Sequence, residues 1–200
     1  MTDWPGEPST TREEMMLATY RALCEYGYAE TSIQRIADEF DKSKSLLYYH
    51  YEDKEALLAD FLRFLLEQLR TGLESIPDDD PTEAMERILD ALLPAPMEDE
   101  EFQFRKALVE IRSQAPYNDV YREQVARSDE TIRAGLAATL ERGIEDGVFH
   151  PVDPERTATF IYTSMVGATH RAVSLDDPDQ VVRDREMLDD YLRESVYREE

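Results

Sequence analysis

From Lys44 to Tyr49 the chain sets an ammonium, a hydroxyl and two phenols at 44, 45, 48 and 49, a spacing that gathers them on one side of a short helix. Such groups donate hydrogen bonds that suit base edges and phosphate oxygens. Leu47 and Tyr51, four apart, would anchor the same helix to a core. The residues before it supply the element that must position it. Ile33, Ile36, Ala37 and Phe40 recur at i, i+3, i+4 and i+7, one face of an amphipathic helix that Thr31 or Ser32 can cap. Asp41-Lys42-Ser43 then breaks the pattern, and Ser43 can accept a hydrogen bond from an amide at the start of the second helix. Two short helices joined by a tight turn fit the major groove of DNA, the second presenting its exposed residues to the bases. A helix-turn-helix DNA reader, and with it a gene regulator, is the leading reading of Thr31 to Leu57.

The same stretch resembles the signature of the TetR family of transcriptional regulators, T-T-V-x-x-I-A-x-x-A-G-V-S-x-G-x-L-Y-x-H-F-x-S-K-E-x-L. It matches at Thr31, Ile36, Ala37, Ser43, Leu47, Tyr48, His50, Lys54, Glu55 and Leu57, with close substitutes at Ser32, Ile33, Tyr51 and Asp53. Upstream, Met15 to Tyr28 is similar to the family's first helix, including the Gly-aromatic pair that closes it. Farther on, Leu140 to Ala158 is similar to a junction in the C-terminal domain, where Gly147 ends one helix and Asp153-Pro154 starts the next. The pattern departs in the turn, where Phe40-Asp41-Lys42 stands for A-G-V and Ser45 for the later Gly; an Asp can adopt the left-handed conformation a Gly would supply. The resemblance implies phosphate contacts from Tyr48, His50 and Lys54, the last in the first turn of a following helix, where free amides also favour a phosphate. It gives base reading to Lys44, Ser45, Leu46 and Tyr49, with Gln34 reaching in from the preceding helix. Thr31, Ser32 and Ser43 complete the expected DNA-binding set. Outside such a motif, Tyr48 would be a packed aromatic and His50 a cap or core residue.

Composition pulls against a DNA partner at first, because 22 basic against 45 acidic residues leave a net charge of −23, and a polyanion repels such a chain. The positive charge is unevenly placed, however. Lysine occurs only at 42, 44, 54 and 106, and from Lys42 to Lys54 three lysines stand against Glu52 and Asp53, a local net of +1. Acidic excess with few lysines is the pattern of proteins that work in concentrated salt, where repulsion is screened over about 3 Å at 1 M. This predicts an acidic, haloarchaeal-type member of the family in a halophilic cytoplasm. A disordered acidic tail does not account for the charge, which is dispersed; mimicry of nucleic acid is the remaining alternative. The same screening weakens counterion release, so base and shape contacts must carry more of the affinity.

Proline divides the rest of the chain, at 5 and 8, 77 and 81, 94 and 96, 116, 151 and 154, and 178. Tolerated at helix starts and disruptive inside, these residues predict helices near 53–76, 82–93, 98–114, 117–147, 154–175 and 179–197. With the three N-terminal helices this is an all-α fold of about nine helices. The expected organisation is a mobile N-terminal segment at 1–10, a helix-turn-helix DNA-binding domain at 11–52 and a helical effector-binding and dimerisation domain at 53–200. Leu57, Leu58, Phe61, Leu62, Leu65, Leu66, Leu69 and Leu73 form a broad apolar stripe, which places their helix between the DNA unit and the larger domain. The resemblance implies that a ligand-driven tilt of this helix repositions the recognition helix.

Thr163, Ser164, Gly167 and Ala168 are small enough for another helix to approach. With Val181, Val182, Met187, Leu188, Tyr191 and Leu192 they predict a homodimer through the two C-terminal helices, the alternative being that these faces pack within one subunit. Dimerisation is preferred because a helix-turn-helix reader usually needs two half-sites. Phe102, Phe104, Tyr121, Tyr162 and Met165 concentrate aromatic and sulfur side chains in the middle helices, where they could bind a small apolar or amphipathic effector and equally build an ordinary core. The function expected is a regulator, a repressor released from a palindromic double-stranded DNA operator by a small molecule. The alternative is a helical DNA-binding or interaction protein without an effector. No nucleophile, base and orienting group stand at motif spacing, and no Cys/His cluster has metal-ligand spacing, so no enzyme, cofactor or metal is expected. No apolar run reaches the roughly 18 to 20 residues of a membrane span, and no basic-plus-apolar leader opens the chain, which predicts a cytoplasmic protein. The single Cys24 excludes an internal disulfide and is read as a packing residue.

Overall fold

Polar side chains set the helix starts. Thr10, Ser32, Asp80 and Asp153 each accept a hydrogen bond from an amide in the first turn of the next helix, satisfying donors the helix itself leaves open. Pro81 and Pro154 occupy first-turn positions, where a missing N–H is harmless. The computed structural model describes residues 7–75 and 80–198. Among them the order is α1 (Thr11–Glu30), α2 (Ile33–Asp38), α3 (Lys44–His50), α4 (Lys54–Glu74), α5 (Pro81–Leu92), α6 (Asp99–Gln114), α7 (Asp119–Glu145), α8 (Pro154–Leu175) and α9 (Asp179–Ser195). The chain is all-α, as its periodicity requires, and the proline-derived limits of α5 to α9 fall within two residues of those observed. The boundaries expected at Pro5 and Pro77 lie outside the described residues, as do positions 1–6 of the expected N-terminal segment; Ser9 within that segment donates from its amide and its hydroxyl to Glu13.

Two compact units form. The first takes α1 to α3, α4 as far as Leu69, α6, and α7 as far as Arg127. Its core joins Met15, Met16 and Leu23 of α1 to Ile36, Leu47, Leu57 and Phe61, with Phe104, Ala107 and Ile111 added from α6. Phe104 lies between Tyr20 and Phe61, at ring-centroid distances of 4.7 and 6.2 Å. The core beneath the helix-turn-helix thus reaches well beyond residues 11–52. Gly27, at φ 68° inside α1, kinks the helix before its last residues, a conformation that glycine takes without strain.

A polar clasp reinforces this unit. Arg12 contacts Asp60 through Nε and Nη2 at 3.2 and 3.1 Å, and the Tyr51 hydroxyl donates to Asp60 Oδ2 at 2.7 Å. Burial by itself would raise the Asp60 pKa, but the Arg12 and Tyr51 hydrogen bonds outweigh it and hold the carboxyl below its usual range. A depressed folded pKa contributes stability above the unfolded value of about 3.9 and loses it as pH falls through the folded value. Urea unfolding should therefore show Asp60→Asn to be less stable than wild type at neutral pH, the gap closing below about pH 4; a gap independent of pH would deny the clasp its charge.

The second unit holds the rest of α4, α5, the remainder of α7, α8 and α9. Arg185 of α9 is buried here and donates to the Leu93 carbonyl at 3.1 Å while pairing with Asp90 and Asp189, so an interior charge is compensated on three sides. Met85, Ile88, Leu136, Leu140, Ile161 and Met165 are buried as well. The surface expected to join two subunits needs correction. Ala168, Val181, Leu188 and Leu192 point into this unit and are buried. Among the residues left outward on α8 and α9 are Thr163, Gly167, Phe160 at 49 % exposure, Leu175 and Met187 at 70 %, with the Phe160 ring 4.7 Å from that of the half-buried Tyr191.

Candidate nucleic-acid interface

Ile36, Ala37, Phe40 and Leu47 are all buried, so the inner faces of α2 and α3 fix both helices on the core and leave the opposite faces to solvent. Ser32, Gln34, Lys44, Ser45, Tyr48, Tyr49 and His50 are exposed and Leu46 is half-buried. Tyr49 stands out furthest, at 82 %, against 47 % for Tyr48. The Tyr49 phenol, held out by a core-anchored helix, is free to meet a partner. His50 is neither a core residue nor a helix start; its ring meets that of Tyr49 edge-on at 5.3 Å. Tyr48 is not a packed aromatic, and its hydroxyl donates to Gln34 Oε1 at 3.1 Å.

Of the two residues able to cap α2, Ser32 does so, accepting from the Arg35 amide at 3.2 Å, while Thr31 is buried and spends its hydroxyl on the carbonyls of Ala22 and Gly27. The turn itself departs from expectation in two ways. Ser43 precedes α3 but makes no side-chain cap; its hydroxyl lies 2.7 Å from that of Ser45. Among the described residues positive φ occurs only at Gly27, Gly147 and Asp176, so Asp41 does not take the left-handed conformation. The chain turns instead with Lys42 tied back to Glu14 of α1.

Lys54 opens α4 and is half-buried. Its ammonium donates to the Tyr28 carbonyl at 2.6 Å and sits 4.1 Å from the centre of the Tyr28 ring. Burial lowers its pKa, against the pull of Glu55, Glu110 and Glu30. Tyr28 is itself fixed, because its amide donates to Glu110 of α6 at 2.8 Å. One ammonium proton is thus committed and two remain for an oxygen ligand, from a side chain whose position is set before any partner arrives. Tyr28 and Glu110 were not foreseen as part of the site, and no local spacing connects residue 110 with residue 28.

Asp38 was also missed. It stands on the same surface, hydrogen bonded to Lys44, and accepts from Gln34 Nε2 at 3.1 Å. From Thr31 to Lys54 the basic residues are Arg35, Lys42, Lys44 and Lys54, and the acidic ones Asp38, Glu39, Asp41, Glu52 and Asp53. Arg35, Lys42 and Lys44 each meet a carboxylate of this same unit. The surface is therefore close to neutral, not a basic patch.

The five side chains considered for an effector do not gather in one unit. Phe102, Phe104 and Tyr121 are buried in the first, and Tyr162 and Met165 in the second. The Tyr162 hydroxyl donates to Asp129 at 2.5 Å. An open cleft of about 400 Å³ in the second unit is lined by Leu73, Ile88, Gly135, Thr139, Glu141 and Glu145 among others, and none of the five borders it. Among the described residues no helix is long and apolar enough to cross a membrane.

Residues 16–61 match a family model described as bacterial regulatory proteins, tetR family, and residues 81–196 one described as BetI-type transcriptional repressor, C-terminal. A crystal structure of a TetR transcription regulator from Haloarcula marismortui is 40 % identical, with a TM-score of 0.82 over 92 % of this chain and 97 % of that one. A transcriptional regulator from Saccharomonospora viridis, crystallised in complex with choline, shares the fold at 21 % identity and a TM-score of 0.77, over 96 % and 100 % of the two chains. The HTH-type transcriptional repressor AcnR of Corynebacterium glutamicum is 23 % identical over 166 residues, 82 % of this chain and 83 % of its own length.

Proposed function

The chain belongs to the TetR family of DNA-binding transcriptional regulators, and from that premise we propose that it works as a homodimeric repressor, gripping a palindromic operator and released by a small molecule. The observation that carries the reading is the outward surface of α3, where Lys44, Ser45, Tyr49 and His50 stand exposed over the buried Leu47. Base contacts come from Gln34, Lys44, Ser45, Leu46 and Tyr49. Phosphate contacts come from Ser32, Ser43, Tyr48, His50 and Lys54, and Thr31 contributes by shaping the start of α2. The acidic composition suits concentrated salt, a reading favoured by the likeness to the Haloarcula marismortui regulator.

Two copies join through the outward residues Phe160, Thr163, Gly167 and Met187 and the half-buried Tyr191, which would otherwise leave large apolar groups in water. A Cβ added at Gly167 meets nothing within 4 Å inside its own subunit, so Gly167→Glu should leave the subunit folded and break only the pairing. Sedimentation and circular dichroism should report a helical monomer. A dimer that persists in this variant moves the interface elsewhere.

The effector is apolar or amphipathic and is held by the aromatic and sulfur side chains of one unit, either Phe102, Phe104 and Tyr121 or Tyr162 and Met165. That a protein of this fold has been crystallised with choline supports a small-molecule ligand. Loosening DNA about a hundredfold requires about 2.7 kcal/mol of differential affinity between the two states. Operator binding measured with and without hydrophobic metabolites and cationic drugs tests the reading, and a protein that holds its operator against all of them favours a DNA-binding protein with no effector.

A further inference from the structure

We propose that Asp38 and Lys44 together read one G·C base pair, which makes Asp38 a specificity-determining residue that the helix-turn-helix pattern does not mark. The inference rests on the DNA-binding reading above. Lys44 Nζ is hydrogen bonded to Asp38 Oδ1, Gln34 Nε2 donates to the same oxygen at 3.1 Å, and Tyr48 donates to Gln34 Oε1 at 3.1 Å. The four side chains are exposed and form a continuous polar chain across α2 and α3. Three of them are expected DNA contacts. A carboxylate among them is costly near phosphates, which it repels, so a surface built only to grip the backbone has no use for it.

Base edges give it one. In the major groove a G·C pair presents the N7 and O6 acceptors of guanine beside the N4 amino donor of cytosine, and an ammonium next to a carboxylate is the complement of that pattern. With Lys44 on the purine, Asp38 meets the pyrimidine. Cytosine offers it a donor; thymine offers the O4 acceptor and sets oxygen against oxygen. Away from a target the two side chains neutralise each other. Lys44 holds the Asp38 carboxyl below the usual carboxylate range, and the paired charges offset each other, so the pair adds little net to non-specific attraction. In concentrated salt, where phosphate attraction fades, a device that withholds a lysine from non-specific DNA and spends it on a base raises discrimination at little loss.

Selection from a random-sequence duplex library with the full-length protein, in concentrated potassium chloride, gives the preferred half-site. Binding of wild type and Asp38→Ala is then measured to duplexes carrying each base pair in turn at every half-site position, and to an unrelated duplex. Wild type should favour G·C at one position by about tenfold or more. Asp38→Ala should lose that preference there and nowhere else, and should bind the unrelated duplex more tightly. Asp38→Asn, which keeps an acceptor, should retain part of the preference. Weaker binding to every duplex with a lower melting temperature would make Asp38 merely structural, and equally tighter binding to all would make it merely repulsive; either result overturns the assignment. A wild-type protein that enriches no sequence at all would instead overturn the regulator reading on which the assignment rests.

Discussion

Lys54→Ala is expected to weaken binding to operator and unrelated DNA alike, by about tenfold for each reading head and about a hundredfold for a dimer on its site. The ammonium is held in place by the Tyr28 carbonyl and ring, so little side-chain freedom is lost when a phosphate arrives. A charge-assisted hydrogen bond contributes about 1.5 to 3 kcal/mol, enough for the factor of ten. Because a phosphate carries no base information, the half-site preference should not change. The slope of log affinity against log salt should become shallower by about one for each phosphate no longer neutralised, and Lys54→Arg should recover the slope. Fluorescence anisotropy over a range of potassium chloride concentrations reads all of these. Wild-type affinity in Lys54→Ala would remove the residue from the interface.

Gly143→Ala should cost about 3 kcal/mol of stability or more and lower the melting temperature by about 6 to 12 °C. Gly143 lies in α7, and a Cβ built there falls 2.1 Å from Phe149 Cδ2 and 2.4 Å from Cε2. Phe149 cannot move aside cheaply. It is fully buried, stacks on Tyr197 at 5.1 Å, and donates its amide to the Gly143 carbonyl at 2.8 Å. Two further backbone bonds, His150 to Val196 at 2.7 Å and Arg198 to Val148 at 2.9 Å, sew the end of the chain to the same turn. Overpacking therefore strains the α7–α8 junction and the C-terminal residues together. Shortening the ring should relieve it, so Phe149→Ala on the Gly143→Ala background should cost much less than on wild type. Additive losses in thermal unfolding would mean that the two residues do not share the strain.

The helices were legible because their signals are local. Ser32, Asp80 and Asp153 cap the helices they precede, Pro81 and Pro154 open theirs, and the spacing of Ile33, Ile36, Ala37 and Phe40 admits a single buried face. The outward set on α3 was legible for the same reason. What escaped depends on residues far apart in the chain. Nothing near Lys54 announces that Glu110 fixes Tyr28 and Tyr28 fixes Lys54. Nothing in α8 or α9 alone tells which of two apolar stripes faces inward, so Val181, Leu188 and Leu192 were assigned to a partner subunit although they fill their own unit. Asp38 escaped for a different reason. A carboxylate near the end of α2 reads as ordinary surface charge in a chain with 45 acidic residues, and only its hydrogen bonds with Lys44 and Gln34 distinguish it. Ser43 shows the opposite error, a good capping residue type expected to cap α3 whose hydroxyl instead lies against that of Ser45. Of the two residues able to cap α2, Ser32 does so and Thr31 bonds backward to α1.

Hydroxyl-radical footprinting of DNA flanking the gene for this chain, with the intact protein in concentrated potassium chloride, tests the central claim most directly. The account predicts two protected patches related by a dyad and centred about 34 to 36 Å apart on one face of the duplex, both absent with a Lys44→Ala, Tyr49→Ala variant that remains helical and dimeric. Folded protein that leaves the duplex unprotected, or that protects it uniformly without a preferred site, would contradict it.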